Sequence, residues 1–142
     1  MRALLDVNVL IALLDAAHVS HHVAMEWFAT HGDLGWASCP ITQNGCLRIM
    51  SSPAYPNARP FPVVAERLAE ATRHAAHQFW TDDVSVLDSL HVNTSAVLNG
   101  RHLTDLYLLA LAVRHHGRLV TFDRAIPAAA VVGAEPRHLI VL

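Results

Sequence analysis

Short, nearly unbroken apolar runs alternate along the chain with longer stretches in which apolar residues recur every three or four positions. Arg2 to Leu5, Trp36-Ala37-Ser38, Gln78 to Trp80, Arg118 to Phe122 and Arg137 to Leu142 have the first pattern and are predicted as five strands. The second pattern predicts helices over Val7 to Asp15, His18 to His31, Ile41 to Met50, Val63 to His77 and Leu103 to His116. Pro40 suits a helix N-terminus, and Gly117 suits the residue just past a helix end. Val84 to Leu90 and Asn93 to Leu98 are predicted as short helical pieces, and Ala54 to Pro62, with Pro56, Pro60 and Pro62, as a loop. Strands alternating with helices predict an α/β fold, a parallel sheet of about five strands covered on both faces. No linker or repeat interrupts residues 1–142, which are expected to form a single domain.

Polar residues break this pattern at telling places. Asp6 ends the first predicted strand and Asp123 the fourth, and in open α/β sheets ligands bind outside the carboxyl ends of the strands. Asp105 heads the stripe 105, 108, 109, 112 (Asp, Leu, Leu, Ala), so it is a first-turn acid on the inward face of its helix. Gln43 heads the stripe 43, 46, 47, 50 (Gln, Cys, Leu, Met) in the same way. Any one of the four could be a plain cap or turn residue. Capping does not explain why both helix residues head stripes that face the same strand ends. Carboxylates within about 6 Å of one another repel, and a hard divalent cation removes that cost. Thr121, two residues before Asp123, shares its side of the strand, and Asn8 and Thr104 flank two of the acids as candidate supports. Arg48 and Arg124 are candidate phosphate contacts, although a solvated arginine is the default.

Composition narrows the chemistry. At 53% apolar and a net charge of −2 over 142 residues, the chain can bury a full core and carries no basic tail. All ten of its basic Lys/Arg positions are arginine. Without a lysine, P-loop phosphate binding, Schiff-base catalysis and the lysine-using aspartyl-phosphate phosphatases and receiver domains lose most of their weight. Cys39 and Cys46 lack CxxC spacing and read as free thiols. No GxSxG elbow supports a serine triad; of the eleven histidines, His74 and His77 are i, i+3 and could share a helix face, but spacing indicates no third ligand. No apolar run is long enough for a membrane helix and no secretory signal is visible, so a cytoplasmic protein is expected.

Leu4-Leu5-Asp6-Val7-Asn8-Val9-Leu10, Cys39-Pro40-Ile41-Thr42-Gln43-Asn44-Gly45, Leu103-Thr104-Asp105 with Leu108 to Ala112, and Thr121-Phe122-Asp123-Arg124 together resemble PIN-domain toxins of the VapC type, in the right order over nearly the whole chain. The resemblance implies a three-layer α/β/α PIN fold and an Mg²⁺- or Mn²⁺-dependent endoribonuclease that hydrolyses RNA phosphodiesters with a metal-activated water. It implies that Asp6, Asp105 and Asp123 hold the metal, that tRNA or rRNA is the substrate, and that the protein is a homodimer blocked by a VapB-type antitoxin. The family usually has glutamate where this chain has Gln43, a change, natural or introduced, that keeps the shape and loses a charge. It is expected to weaken or abolish turnover. An alternative follows, favoured by Gln43 and by the lack of a basic patch: a PIN-like module that binds antitoxin or RNA without cutting it.

Overall fold

A computed structural model describes all of residues 1–142. Its five strands are β1 (Ala3–Leu5), β2 (Trp36–Ser38), β3 (His77–Phe79), β4 (Arg118–Thr121) and β5 (Leu139–Val141). They form one sheet in the order β3-β2-β1-β4-β5, every neighbouring pair parallel. Five helices connect them: α1 (Val7–Leu14), α2 (His21–His31), α3 (Pro40–Met50), α4 (Phe61–Thr72) and α5 (Leu103–Arg114). None is long and apolar enough to cross a membrane.

The strands read as continuous apolar runs because both faces of the sheet are covered. Successive residues feed different cores. Leu4, Ala37 and Leu119 pack with Trp80 and with Leu108, Leu109 and Leu111 of α5. Ala3, Leu5, Trp36 and Val120 pack on the other face with Val9, Cys46, Met50, Val64 and Leu68 of α1, α3 and α4. The result is the expected α/β/α sandwich. Leu106 to Ala112 of α5 are all buried, the mark of a helix enclosed on every side. Cys39 and Cys46 are free and buried, and burial pushes the Cys46 thiol up to about 12.

Three expectations need correcting. The helix expected over Val63 to His77 starts at Phe61 and ends at Thr72. His77 opens β3 instead, where its backbone pairs with β2, so His74 and His77 do not share a helix face. Val84 to Leu90 forms turns rather than a helix. Ser85 Oγ accepts from the Leu87 N–H and Asp88 Oδ1 from the Leu90 N–H, local bonds that compete with helical pairing. Asn93 to Leu98 contributes one 3₁₀ turn, Thr94–Ala96, capped by Asn93.

One buried acid is structural. Asp15 follows α1, and its carboxylate accepts from the Tyr55 hydroxyl, from Asn57 Nδ2 at 2.7 Å and from the Ala17 N–H at 3.0 Å. It ties the end of α1 to the loop between α3 and α4. Burial pushes its pKa up, but the donors, led by Tyr55, outweigh that and hold it below the usual 3.8. Asp15→Ala should cost about 2–3 kcal/mol in urea unfolding at pH 7, because it removes a buried charge-assisted cluster. Since the folded-state pKa is depressed, this contribution is present above pH 3.8 and fades as pH falls through the folded value.

Candidate metal centre

Parallel strand order puts the carboxyl ends of β1 and β4 side by side, and the chain leaves both at an acid. Asp6 follows β1 directly and is 5% exposed. As the N-cap of α1, its Oδ1 accepts from the Val7 N–H at 2.7 Å. Its Oδ2 accepts from the Thr121 hydroxyl at 2.6 Å. Thr121 Oγ also accepts from the Asp123 N–H at 3.0 Å and from Asn8 Nδ2 at 3.3 Å, and Asn8 Oδ1 takes the Phe122 N–H at 3.3 Å. Thr121 and Asn8 thus lock the ends of β1 and β4 together around Asp6.

Asp105 enters from the first turn of α5 and Asp123 from the turn after β4. Burial pushes the Asp6 carboxyl up, hydrogen bonds from Thr121 and Val7 pull it down, and the charge of Asp123 adds to the rise; the net effect is upward. Burial, then the charges of Asp6 and Asp123, likewise hold Asp105 above the ordinary range. The three acids, 117 positions apart from first to last, therefore feel one another directly.

Other expected residues are placed unevenly around this cluster. Asn8, Thr104 and Arg48 line an open groove of about 940 Å³ that also borders Asp6 and Asp105. Thr104 and Arg48 are exposed, as is Arg124. Gln43 sits in the first turn of α3, but its Nε2 donates to Ser38 Oγ at 3.0 Å and not to any of the three acids. Ser38 Oγ is in turn 2.8 Å from His77 Nε2. The residue missed in sequence is His102. Its Nδ1 lies 3.5 Å from Asp105 Oδ2 and 3.7 Å from Asp123 Oδ2. The i, i+3 spacing of His102 and Asp105 was the available signal.

The donor set suits a divalent cation. Carboxylate oxygens whose pKa values are raised by burial and mutual repulsion gain when a cation replaces their protons.

The PIN domain family model matches residues 3–132. The chain belongs to the PIN-domain family. Within it, Ribonuclease VapC44 of Mycobacterium tuberculosis is 50% identical over 142 residues, covering 100% of both chains. That likeness places this PIN domain among the VapC ribonucleases. Two solved structures share the fold at 14% identity. VapBC2 from Rickettsia felis, bound to a DNA fragment from its promoter, covers 100% of this chain and 98% of its own with a TM-score of 0.59. VapC20 of Mycobacterium tuberculosis, a Sarcin-Ricin loop cleaving toxin, covers 94% of this chain and 99% of its own with a TM-score of 0.61. The family match stops before β5, which pairs with β4 in the same sheet.

Proposed function

We propose that this PIN domain, comprising all of residues 1–142, is a divalent-metal-dependent endoribonuclease toxin that cuts structured RNA such as tRNA or rRNA in the cytoplasm. The observation that carries the reading is the meeting of Asp6, Asp105 and Asp123 at the carboxyl edge of the sheet, two of them held above the usual carboxylate range. A surface built only to bind antitoxin or RNA has no need of such a cluster, and the full-length relatives bear the name ribonuclease. A cognate VapB-type antitoxin is the proposed inhibitor, in line with the VapBC complex among its structural neighbours. A homodimer is the proposed assembly.

Asp6, Asp105 and Asp123 would hold Mg²⁺ or Mn²⁺, with Gln43 the fourth contact through its carbonyl oxygen, which accepts no hydrogen bond from the protein. The bound cation supplies Lewis-acid activation of water and shields phosphodiester charge. The protein's own contribution is orientation. Thr121 and the Val7 N–H fix the Asp6 carboxylate, and Asn8 fixes Thr121. This limits how much Asp6 has to reorganise when a cation binds. Arg48, on the groove wall, is placed to meet a phosphate, and Arg124, beside Asp123, is the second candidate. Without the cation the acids repel RNA, so metal is needed for binding as well as for cutting.

The test is incubation of the purified chain, and of its Gln43→Glu form, with a total RNA pool, with Mn²⁺ or Mg²⁺ and with a chelator. Discrete cleavage that depends on the ion and stops on adding a VapB-type antitoxin is the expected result. Metal-independent cutting, or RNA retained without cutting under every ionic condition by both forms, would contradict the reading.

A further inference from the structure

We propose that His102 is a nitrogen ligand of the cation held by Asp105 and Asp123, and that it biases the site towards Mn²⁺ and Co²⁺ over Mg²⁺. The inference rests on the metal-dependent reading above and names a donor that the acids alone do not supply.

His102 closes the 3₁₀ turn Gly100–His102 and directly precedes α5, one helical turn from Asp105. Its ring is about a quarter exposed, enough for a cation to reach it from the groove edge. The separations of Nδ1 from the two carboxylate oxygens, 3.5 and 3.7 Å, are too long for charge-assisted hydrogen bonds of about 2.7–2.9 Å. They come close to the spacing of donors around one ion. Two ligands about 2.1 Å from a cation lie about 3.0 Å apart at an octahedral right angle and about 3.4 Å apart at a tetrahedral angle. The donor atoms of His102, Asp105 and Asp123 all lie within 4.8 Å of one another, so small side-chain shifts would complete the geometry.

Donor chemistry gives the selectivity. Mg²⁺ prefers oxygen and water, whereas the first-row divalent ions also accept an imidazole nitrogen, Mn²⁺ the least strongly and Co²⁺ more so along the series. Asp6 is tied to Thr121 and Val7 and Asp123 Oδ1 accepts from the Ala125 N–H at 2.7 Å, so His102, Asp105 and the free Oδ2 of Asp123 form the more adjustable side of the site.

A competing account makes His102 only a positive partner for the acids, and the two accounts predict opposite signs. A counter-charge competes with the metal, so removing it raises metal affinity. A ligand contributes to binding, so removing it lowers affinity. The full-length chain and its His102→Gln variant are titrated with Mn²⁺, followed by electron paramagnetic resonance, and with Co²⁺, followed by its visible absorption; Mg²⁺ is measured by competition. The expected result is about a tenfold loss of Mn²⁺ and Co²⁺ affinity in the variant, a smaller loss for Mg²⁺, and disappearance of the ¹⁴N coupling on bound Mn²⁺. Unchanged or raised Mn²⁺ affinity, or no ¹⁴N coupling in the unsubstituted chain, would overturn the proposal while leaving the ribonuclease reading intact. Absence of any Mn²⁺ binding by the unsubstituted chain would overturn both. Nitrogen-coupled Mn²⁺ in a chain that cuts no RNA would sink the nuclease reading alone.

Discussion

Asp105→Asn is expected to reduce metal-dependent RNA cleavage by three orders of magnitude or more while raising the melting temperature of the metal-free protein. The first effect follows from removing one of three negative donors. A loss of about 4 kcal/mol in stabilising the reacting state corresponds to about 10³ in rate. The second follows from electrostatics in the empty cluster. Burial and the charges of Asp6 and Asp123 hold the Asp105 carboxyl above its ordinary 3.8. The folded state therefore keeps a proton that the unfolded chain has released, and stability falls as pH rises from 3.8 through the folded value. Asparagine carries no such penalty, and its Nδ2 is a donor within reach of the Asp123 carboxylate. The gain should be absent near pH 3, where both side chains are neutral, and complete above that window. For a chain of this size each kcal/mol relieved is worth about 3 °C. Mn²⁺ should stabilise the unsubstituted chain and leave the variant almost unmoved. Differential scanning fluorimetry across pH, paired with an RNA cleavage assay, checks both halves. Retained cleavage would remove Asp105 from the reaction. Lost cleavage with a lowered melting temperature would instead mark it as structural.

This pairing of lost function with gained stability separates the acids of the centre from Asp15. Asp15 and Asp6 are buried and Asp105 is half-buried, yet the Asp15 pKa is lowered by its donors and those of Asp6 and Asp105 are raised. Asp15 is satisfied within the protein. Asp6 also accepts hydrogen bonds from Thr121 and Val7, yet its pKa and that of Asp105 stay raised, so a proton or a cation is favoured there.

Period and punctuation made most of the frame legible. The two-sided burial of β1, β2 and β4 shows in their unbroken apolar letters, and the fully enclosed α5 in the density of leucine and alanine after Asp105. Asp6 and Asp105 could be placed because each sits where an element meets the sheet edge. Less was legible where tertiary or local polar bonds decide. Edge strand β3 is more exposed than its neighbours, and only pairing with β2 takes His77 out of a helical pattern. Ser85 and Asp88 bind backbone N–H groups two residues on and so prevent a helix whose apolar spacing was acceptable. His102 was hidden among eleven histidines, because its partner Asp123 is 21 positions away and the turn that aims it has no apolar period. For Gln43 the stripe predicted the helix face, but Ser38 determines where the amide points.

That amide is the basis of the second large effect. Gln43→Glu is expected to raise Mn²⁺ affinity tenfold or more and to increase metal-dependent cleavage. In the protein as it stands, Gln43 Nε2 donates to Ser38 Oγ, leaving the Ser38 proton for His77 Nε2. Burial holds His77 below its usual pKa, against the opposing pull of the Thr72 carbonyl, so a neutral ring that accepts from Ser38 fits this chain of bonds. A glutamate cannot donate. It must either take the Ser38 proton, forcing His77 Nε2 to become a donor, or leave Ser38 and turn towards the acids. The second course brings a charge to the cation. A carboxylate within about 5 Å of a divalent ion gains about 7 kcal/mol at an effective dielectric of about 20, before any reorganisation cost. The two courses give different readings. If the glutamate joins the centre, Mn²⁺ affinity and cleavage rise and the His77 titration, followed by NMR, changes little. If it stays on Ser38, the new negative neighbour moves the His77 pKa upward and metal affinity does not change. That second pattern would assign position 43 to the support of β2 and β3 rather than to the metal.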